Sequence, residues 1–348
     1  MPRIDAVNTS RAGADLAPTH QRMRFNKLDL NLLVALDAML AERSISRAAQ
    51  RLHLSQSAMS NALARLRDYF DDELLVQVGR KLELTPRAET LRESVRDVLV
   101  RVDSAILAQP RFDPAQSDRC FRLIVSDYTS MVLMPHLLAL AGRHSHTVRF
   151  ELLPLLQPPL RELESGEADL LILPTEYRTP GDHPFEPLFE EQFVCAVWSG
   201  GCFAHVDRLT ADQYAAAGHI VMQPSGMDEP TRAGWIKRRY PGVKRIEVST
   251  YSFAAVPYLV VGTDRIATMH ARLARLARKS LPLRLLPAPL PAPAMQQTMQ
   301  WHKYRTLDPG LIWLRGLLQE AVLCMDAELG GAAATGSRAG VGEVRVLP

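Results

Sequence analysis

The first strongly periodic stretch of the chain is "LDLNLLVALDAMLAER", in which Leu30, Leu33, Val34, Asp37 and Leu40 recur at steps of three or four residues. That spacing predicts a helix with one apolar face. Ser44 is placed to cap a second helix ending near Leu52, Leu54 to plug a tight turn, and Ser55 to cap a third helix ending near Tyr69. Two short helices joined by so small a turn cross steeply, and only small side chains fit at the crossing. Ala48 and Ala49 on one helix and Ala58 and Ala62 on the other answer that need, with Leu52, Leu54, Met59, Leu63 and Leu66 expected to close the core. The period then changes from helical to alternating. "ELLVQVGRKLELT" carries apolar residues at Leu74, Val76 and Val78, turns at Gly79-Arg80 and resumes with Leu82 and Leu84, the pattern of a two-stranded wing.

Thr85-Pro86 is an N-cap followed by proline at the first helical position, where its missing N–H costs nothing. Leu91, Val95, Val98, Val102 and Ala105 then form a heptad seam with charged residues between them. The seam suits pairing with a second copy of the chain; packing on its own domain is the plainer alternative. From Cys120 onward strand patterns alternate with helical ones: "CFRLIVSDY", a helix from about Ser130 to Arg143, "TVRFELLPL", a helix through "PLRELESGE", then "ADLLILP". Such repetition predicts a mostly parallel sheet covered on both faces. A second set runs from Phe193 to about Leu286, after which "MQQTMQWHK" and a helix from Pro309 to about Ala327 return to the first lobe.

The predicted fold class is therefore α/β: an N-terminal winged helix-turn-helix, a linker helix, and a C-terminal two-lobed α/β sensor like a periplasmic binding protein. Expected boundaries are 1–22 for a disordered N-terminal extension, 23–86 for the winged domain, 87–110 for the linker and dimerisation helix, and 118–328 for the effector-binding domain. Within the last, lobe 1 takes about 118–190 and 288–328 and lobe 2 about 191–287; 329–348 reads as a flexible tail, rich in glycine and small residues. Met23 begins the run that leads into the first helix, so translation starting there is the alternative to an extension.

Composition narrows the function. No apolar run approaches the roughly 20 residues of a membrane-spanning helix and no signal-peptide pattern opens the chain, so the expected location is cytoplasmic, with no membrane partner. The four cysteines, Cys120, Cys195, Cys202 and Cys324, are scattered without a CxxC pair. His144 and His146 have no further ligands nearby, so no metal is expected, and no cofactor either. The chain carries no Walker loop, GxSxG, HExxH or strand-following GxGxxG, which argues against an enzyme. A net charge of +3 is too small to imply nucleic acid by itself, so the placement of charge matters. Between Met23 and Pro86 nine Lys and Arg stand against eight Asp and Glu, but Asp68, Asp71, Asp72 and Glu73 gather away from the start of the third helix.

That start is where a helix-turn-helix offers polar side chains to base edges in the major groove. Ser55, Gln56, Ser57, Ser60 and Asn61 occupy it; Gln and Asn can make bidentate pairs with adenine, and Ser can reach a base or a phosphate. Arg65 suits phosphate, and Arg80 and Lys81 at the wing tip suit phosphate or the minor groove. An ordinary helical hairpin with a solvated face is the bland alternative, and the wing that follows weighs against it.

The run of helix, "LSQSAMSNALARL" and "ELLVQVGRKLELTPRAE" resembles the N-terminal domain of the LysR-type bacterial transcriptional regulators, and "SGEADLLIL" at 165–173 resembles their sensor domain. Within the family, "MRFNKLDLNLLVALDAML" is similar to regulators of nodulation and of aromatic degradation. The resemblance extends to about residue 325. Ser57 stands where the family usually has proline, and Gln77 where the wing usually has arginine. The resemblance implies a homodimer or homotetramer on double-stranded DNA with an inverted-repeat operator, activation through RNA polymerase, and a small effector. Dimerisation is assigned to Leu91, Val95, Val98 and Val102.

Ligands of open α/β sheets sit beyond the carboxyl ends of strands. That rule points to Ser126, Asp127, Tyr128 and Thr129 after the first strand of lobe 1, and to Pro174 and Thr175 after the third. The resemblance to aromatic-degradation regulators adds His219, Met222, Phe253 and Thr268, and implies a small aromatic effector. Each has a plainer reading: Asp127 as a helix cap, Phe253 as core, His219 as a satisfied interior histidine. A cytoplasmic small-molecule-binding protein without regulated transcription is the alternative function, and an architectural DNA protein would rarely need so large a sensor half.

Overall fold

The structure is a computed structural model that describes residues 28–79, 81–106, 111–155, 160–178, 182–223, 237–290 and 294–329. The proposed extension at 1–22, Met23, Arg80 and the tail from Gly330 lie outside them. The chain divides into two compact units, Met1–Val95 and Arg96–Pro348.

The first unit holds α1 (Leu30–Glu42), α2 (Ile45–Arg51), α3 (Gln56–Phe70), β1 (Leu75–Val78) and β2 (Lys81–Leu84). The caps fall where the sequence places them: Ser44 Oγ accepts from the Arg47 N–H and Ser55 Oγ from the Ala58 N–H, each satisfying a donor that a helix start leaves open. Four details differ from expectation. On α1 the buried face is Leu32, Ala35, Leu36, Met39 and Leu40, whereas Leu30 and Val34 are exposed; both faces satisfy the same period, so spacing could not choose between them. On α3 the buried stripe is Met59, Leu63, Leu66 and Phe70, at steps of four, three and four, and Ala58 falls off that stripe into solvent. Leu54 is 48% exposed, because Ala48 and Ala49 already fill the crossing. In the wing, Leu74 adopts a left-handed φ of 59°, which breaks the alternation: Leu74 and Leu75 are both buried, and Val78 at the tip is exposed opposite Lys81.

The boundary between the units falls inside α4 (Pro86–Ile106), whose start is capped by Thr85 Oγ1 accepting from the Ala88 N–H. Its seam is uneven. Val95 is buried within the chain, Leu91 and Val102 are half-buried, and Val98 is 45% exposed.

Lobe 1 contains β3 (Cys120–Val125), α5 (Asp127–Val132), α6 (Met134–His144), β4 (Arg149–Pro154), α7 (Leu160–Glu164), β5 (Leu170–Pro174) and β6 (Phe185–Glu191). The single helix expected from Ser130 is two, divided at Leu133, because Pro135 lacks an N–H and is accommodated in the first turn of α6. Lobe 2 follows with β7 (Phe193–Trp198), α8 (Ala211–Ala216), β8 (His219–Met222), β9 (Ile246–Thr250), α9 (Val256–Val260), β10 (Ile266–His270), α10 (Ala271–Arg278) and β11 (Leu283–Pro287). The chain returns to lobe 1 as β12 (Met295–Gln300) and α11 (Pro309–Leu329).

Strand orders are β4-β3-β5-β12-β6 and β11-β7-β10-β8-β9. Neither sheet is mostly parallel: β3 pairs parallel with β4 and β5, but β12 runs antiparallel to β5 and β6. In lobe 2, β8 pairs parallel with β9 and β10, while β7 runs antiparallel to β10 and β11. Crossing between lobes is the cause, since strands that carry the chain out and back need no helical crossover and can lie against their neighbours in reverse. One apolar cluster joins the lobes, from Phe121, Leu137 and Trp301 to Ala196, Ile220 and Met269.

Candidate functional site

In the first unit, α3 presents Gln56, Ser57, Ser60 and Asn61 as exposed side chains over its first two turns. Ser55 is also exposed, but its hydroxyl is engaged as the cap and lies 3.0 Å from Ser57 Oγ. Among the described residues the Gln56 and Asn61 amides make no hydrogen bond, a state that leaves them able to pair with an exposed edge such as a base, while the helix start turns unpaired N–H groups outward. Arg65 lies 3.2 Å from Asp29; both are exposed, so the pair is weak and exchangeable for a phosphate. Lys81 is exposed at the start of β2, and Gln77 donates to Gly79 O within the wing.

In the second unit the parallel strands of both lobes end toward one region. Ser126 caps α5, its Oγ accepting from the Thr129 N–H, and Thr129 itself is buried. Asp127 bridges the lobes: its Oδ2 accepts from Ser252 Oγ at 2.7 Å and from the Ala254 N–H at 3.0 Å. Tyr128 follows the end of β3, Phe253 follows β9, and His270 ends β10. The Tyr128 and His270 rings stack at 4.0 Å and 18°, and Phe253 meets His270 edge-on at 4.6 Å. Tyr128 Oη donates to Glu191, a wholly buried carboxylate at the crossing from β6 to β7 that also faces Arg272 at 3.3 Å. Burial, and then Glu191, push the Tyr128 hydroxyl well above the ordinary phenol range, so it stays a donor.

Arg239 completes the group. Its guanidinium stacks over Phe193 at 3.6 Å and its Nη2 donates to His270 Nε2 at 3.0 Å. Burial, and then Arg239, hold His270 well below the usual imidazole range, so the ring is neutral.

Pro174, Thr175 and Met222 also stand at or just after carboxyl strand ends, whereas His219 and Thr268 do not. Pro174 ends β5 and Thr175 opens the short 3-10 turn that follows, both half-buried, with Thr175 Oγ1 donating to Gln296 O. Met222 ends β8 and is buried, its backbone held by the Tyr240 hydroxyl. His219 and Thr268 gather around Tyr214 instead: His219 Nε2 donates to Tyr214 O at 2.6 Å, and Thr268 Oγ1 meets Tyr214 Oη at 2.6 Å. Burial lowers the His219 pKa, so it is a neutral, hydrogen-bonded interior histidine at the amino end of its strand. His270, Arg239, Phe193 and Glu191 were not singled out in the sequence. His270 could have been found by the strand-end rule applied to "RIATMH"; nothing local marks Arg239.

A cavity of about 580 Å³ lies at the opposite, amino end of β3, lined by Arg119, Asp169 and Asp308 among others. Its charges are engaged with one another: Arg119 bonds both Asp169 and Asp308, at 3.0 and 2.7 Å. Among the described residues no cluster of three metal-ligating side chains occurs, and no helix is long and apolar enough to cross a membrane.

Comparison with known proteins gives a consistent picture. Residues 30–89 match the family model of the bacterial regulatory helix-turn-helix proteins of the lysR family, and residues 114–323 match the LysR substrate binding domain. The chain is 42% identical over 301 residues to Nodulation protein D 2 of Rhizobium leguminosarum bv. phaseoli, covering 86% of this chain and 93% of that protein. It is 41% identical over 308 residues to Nodulation protein D 1 of Neorhizobium galegae, covering 88% and 98%. Among solved structures, a probable transcriptional regulator of Pseudomonas aeruginosa, PA0477, superposes with a TM-score of 0.55 at 28% identity, over 85% of this chain and 98% of that one. A full-length OxyR variant from the same organism gives 0.64 at 18% identity, over 85% and 94%, a likeness of fold alone.

Proposed function

The chain belongs to the LysR family of bacterial transcriptional regulators, and from that premise we propose that it activates transcription from an inverted-repeat operator in response to a small aromatic effector. It is a regulator rather than an enzyme. Two copies paired along α4 would set two α3 helices about one DNA turn, roughly 34 Å, apart, which is why the operator should be an inverted repeat. A pair of such dimers could bend the DNA, and RNA polymerase would engage when the bend relaxes. The effector must bind one arrangement better than the other, or it shifts nothing.

The observation that carries the effector reading is the aromatic group of Tyr128, Phe253 and His270, drawn from both lobes to the carboxyl ends of β3, β9 and β10. Aromatic walls with a few fixed polar groups are the composition of a small-molecule site. Nuclease footprinting of DNA upstream of the gene, with and without a panel of small aromatics, tests the whole reading. An extended inverted-repeat footprint that shortens with one compound is expected. Protection that no compound alters would remove the effector, and absence of protection at low salt would remove that promoter as a target.

Two variants test the parts. Gln56→Ala should weaken operator binding by about 1–3 kcal/mol and relax base preference at one position, with non-specific binding unchanged; an equal loss on scrambled DNA would show that Gln56 does not read bases. Val98→Asp places a charge on the exposed face of α4. Sedimentation should show loss of dimers, and a dimer of unchanged affinity would mean that the seam pairs nothing.

A further inference from the structure

We propose that Asp97 on α4 is the catch of a two-position latch between that helix and lobe 1: its Oδ2 is held by Lys303 and Tyr304, and its Oδ1 takes the open N–H of His302 when the strand joining the lobes shifts. The latch makes the seating of the end of α4 depend on how the two lobes stand, whatever the effector is.

All of its parts lie in the second unit. Asp97, Val100 and Arg101 stand at i, i+3 and i+4 on α4 and so share one face of it. That face meets two turns of lobe 1. Val100 is 3% exposed and reaches the "SGE" turn, where Gly166 has a left-handed φ of 70°. A Cβ on Gly166 would stand 3.0 Å from Val100 Cγ2, so the glycine is what lets α4 come this close. The other turn, 302–305, follows β12. Lys303 Nζ lies 3.2 Å from Asp97 Oδ2, Tyr304 Oη donates to the same oxygen at 3.3 Å, and the Arg101 guanidinium lies 5.6 Å from the centre of the Tyr304 ring.

His302 is the member with an unfinished contact. Its side chain is wholly buried, and its Nδ1 accepts from the Tyr304 N–H at 3.3 Å. Burial, and then His183, bring its pKa down to about 4, so the ring is neutral and its proton is on Nε2. Among the described residues that N–H has no hydrogen-bond partner, and it faces Asp97 Oδ1 at 3.9 Å. A buried donor left open is costly, and a movement of about 1 Å would close it as a charge-assisted bond. The other groups around the ring are engaged elsewhere: His183 Nδ1 accepts from the Lys303 N–H, and Arg305 donates to Asp169 at 3.0 Å.

The strand that leads to His302 is placed to supply that movement. β12 returns the chain from lobe 2, pairs with β5 and β6, and runs through Trp301 into His302. Trp301 is buried in the apolar cluster that joins the lobes. A change in the lobes' mutual position therefore reaches His302 through two residues of chain, and a packed interior passes it on as a step between two arrangements.

Hydrogen exchange of the full-length protein, read by mass spectrometry on peptides covering 96–106 and, as a reference, 134–144, tests the latch without any ligand. Asp97→Asn should speed exchange of 96–106 about tenfold or more and leave the reference within about twofold. Ser252→Ala removes the hydroxyl that lobe 2 gives to Asp127, which loosens the bridge between the lobes while altering neither α4 nor the 302–305 turn. It should slow exchange of 96–106 about threefold or more, as His302 closes on Asp97. His302→Asn keeps an acceptor for the Tyr304 N–H but has no donor in place of Nε2, and in combination with Ser252→Ala it should erase the slowing. His302→Gln, whose amide N–H falls near the Nε2 position, should restore part of it.

Unchanged or faster exchange of 96–106 in Ser252→Ala, or slowing that survives His302→Asn, would overturn the latch. Exchange within about twofold of the unaltered protein in Asp97→Asn would show that the carboxylate holds nothing. Should His302→Asn not fold, judged by its circular dichroism melt, Ser252→Ala combined with Asp97→Asn decides, because slowing without the carboxylate contradicts the proposal. Each outcome is read on the protein alone, so failure here leaves the operator and effector readings to footprinting.

Discussion

Replacing Arg272 by methionine should cost the second unit about 3–5 kcal/mol, the usual penalty for removing one partner of a buried ion pair. The guanidinium spans three groups: Glu191 at 3.3 Å, Asp326 at 2.6 Å, and the Glu190 carbonyl at 2.6 Å. Asp326 belongs to α11 of lobe 1, so the bridge ties lobe 2 to lobe 1 at the β6–β7 crossing. Without it, the Glu191 carboxylate remains buried with only the Tyr128 hydroxyl and the backbone N–H groups of residues 192 and 272 as donors among the described residues. Methionine keeps the apolar stem, so the loss reports charge rather than volume. For a unit of this size the melting temperature should fall on the order of 10 °C. Calorimetry of the full chain would read it, and a shift below about 2 °C would show that the pair is dispensable. Because Tyr128 is oriented by the same carboxylate, effector affinity should fall in the variant below its melting range as well.

Leu66→Ala should act on the other unit alone. Leu66 has no exposed surface and sits in the α3 stripe that packs the three-helix core. Leucine-to-alanine changes at such sites cost about 2–5 kcal/mol, the spread reflecting how far the site can collapse. A domain this small holds only a handful of kcal/mol in total, so much of the variant's winged unit would be unfolded at working temperature. Operator binding should drop by at least tenfold while the effector isotherm and the main calorimetric transition stay put. Operator affinity within threefold of the unaltered protein would show that α3 is held by something other than this core. Parallel losses of DNA and effector binding would show that the two units do not melt separately.

Both results bear on which features were legible in the chain. Three helix starts were, because a cap is a contract between residues three apart: Ser44 with Arg47, Ser55 with Ala58, Thr85 with Ala88; the start at Asp127 was not. The winged helix-turn-helix and the two-lobed α/β sensor were also legible, since period and small-residue placement are local. The exposed Gln56, Ser57, Ser60 and Asn61 followed from the same reading, as residues off the buried stripe at a capped helix start.

What tertiary structure decided is which of two equivalent faces is inside and which distant residues meet. α1 carries leucines on two sides, and only its packing against α2 and α3 selects Leu32 and Leu36 over Leu30 and Val34. The candidate effector site is assembled from residues far apart in the chain: Tyr128 reaches Glu191 across 63 residues, Asp127 reaches Ser252 across 125, and Arg239 reaches His270 across 31. No periodicity spans those intervals. The chain by itself determined its elements and their order, because hydrogen bonding and side-chain period act over a few residues; the place where Tyr128, Phe253 and His270 meet exists only once two sheets bring their strand ends together.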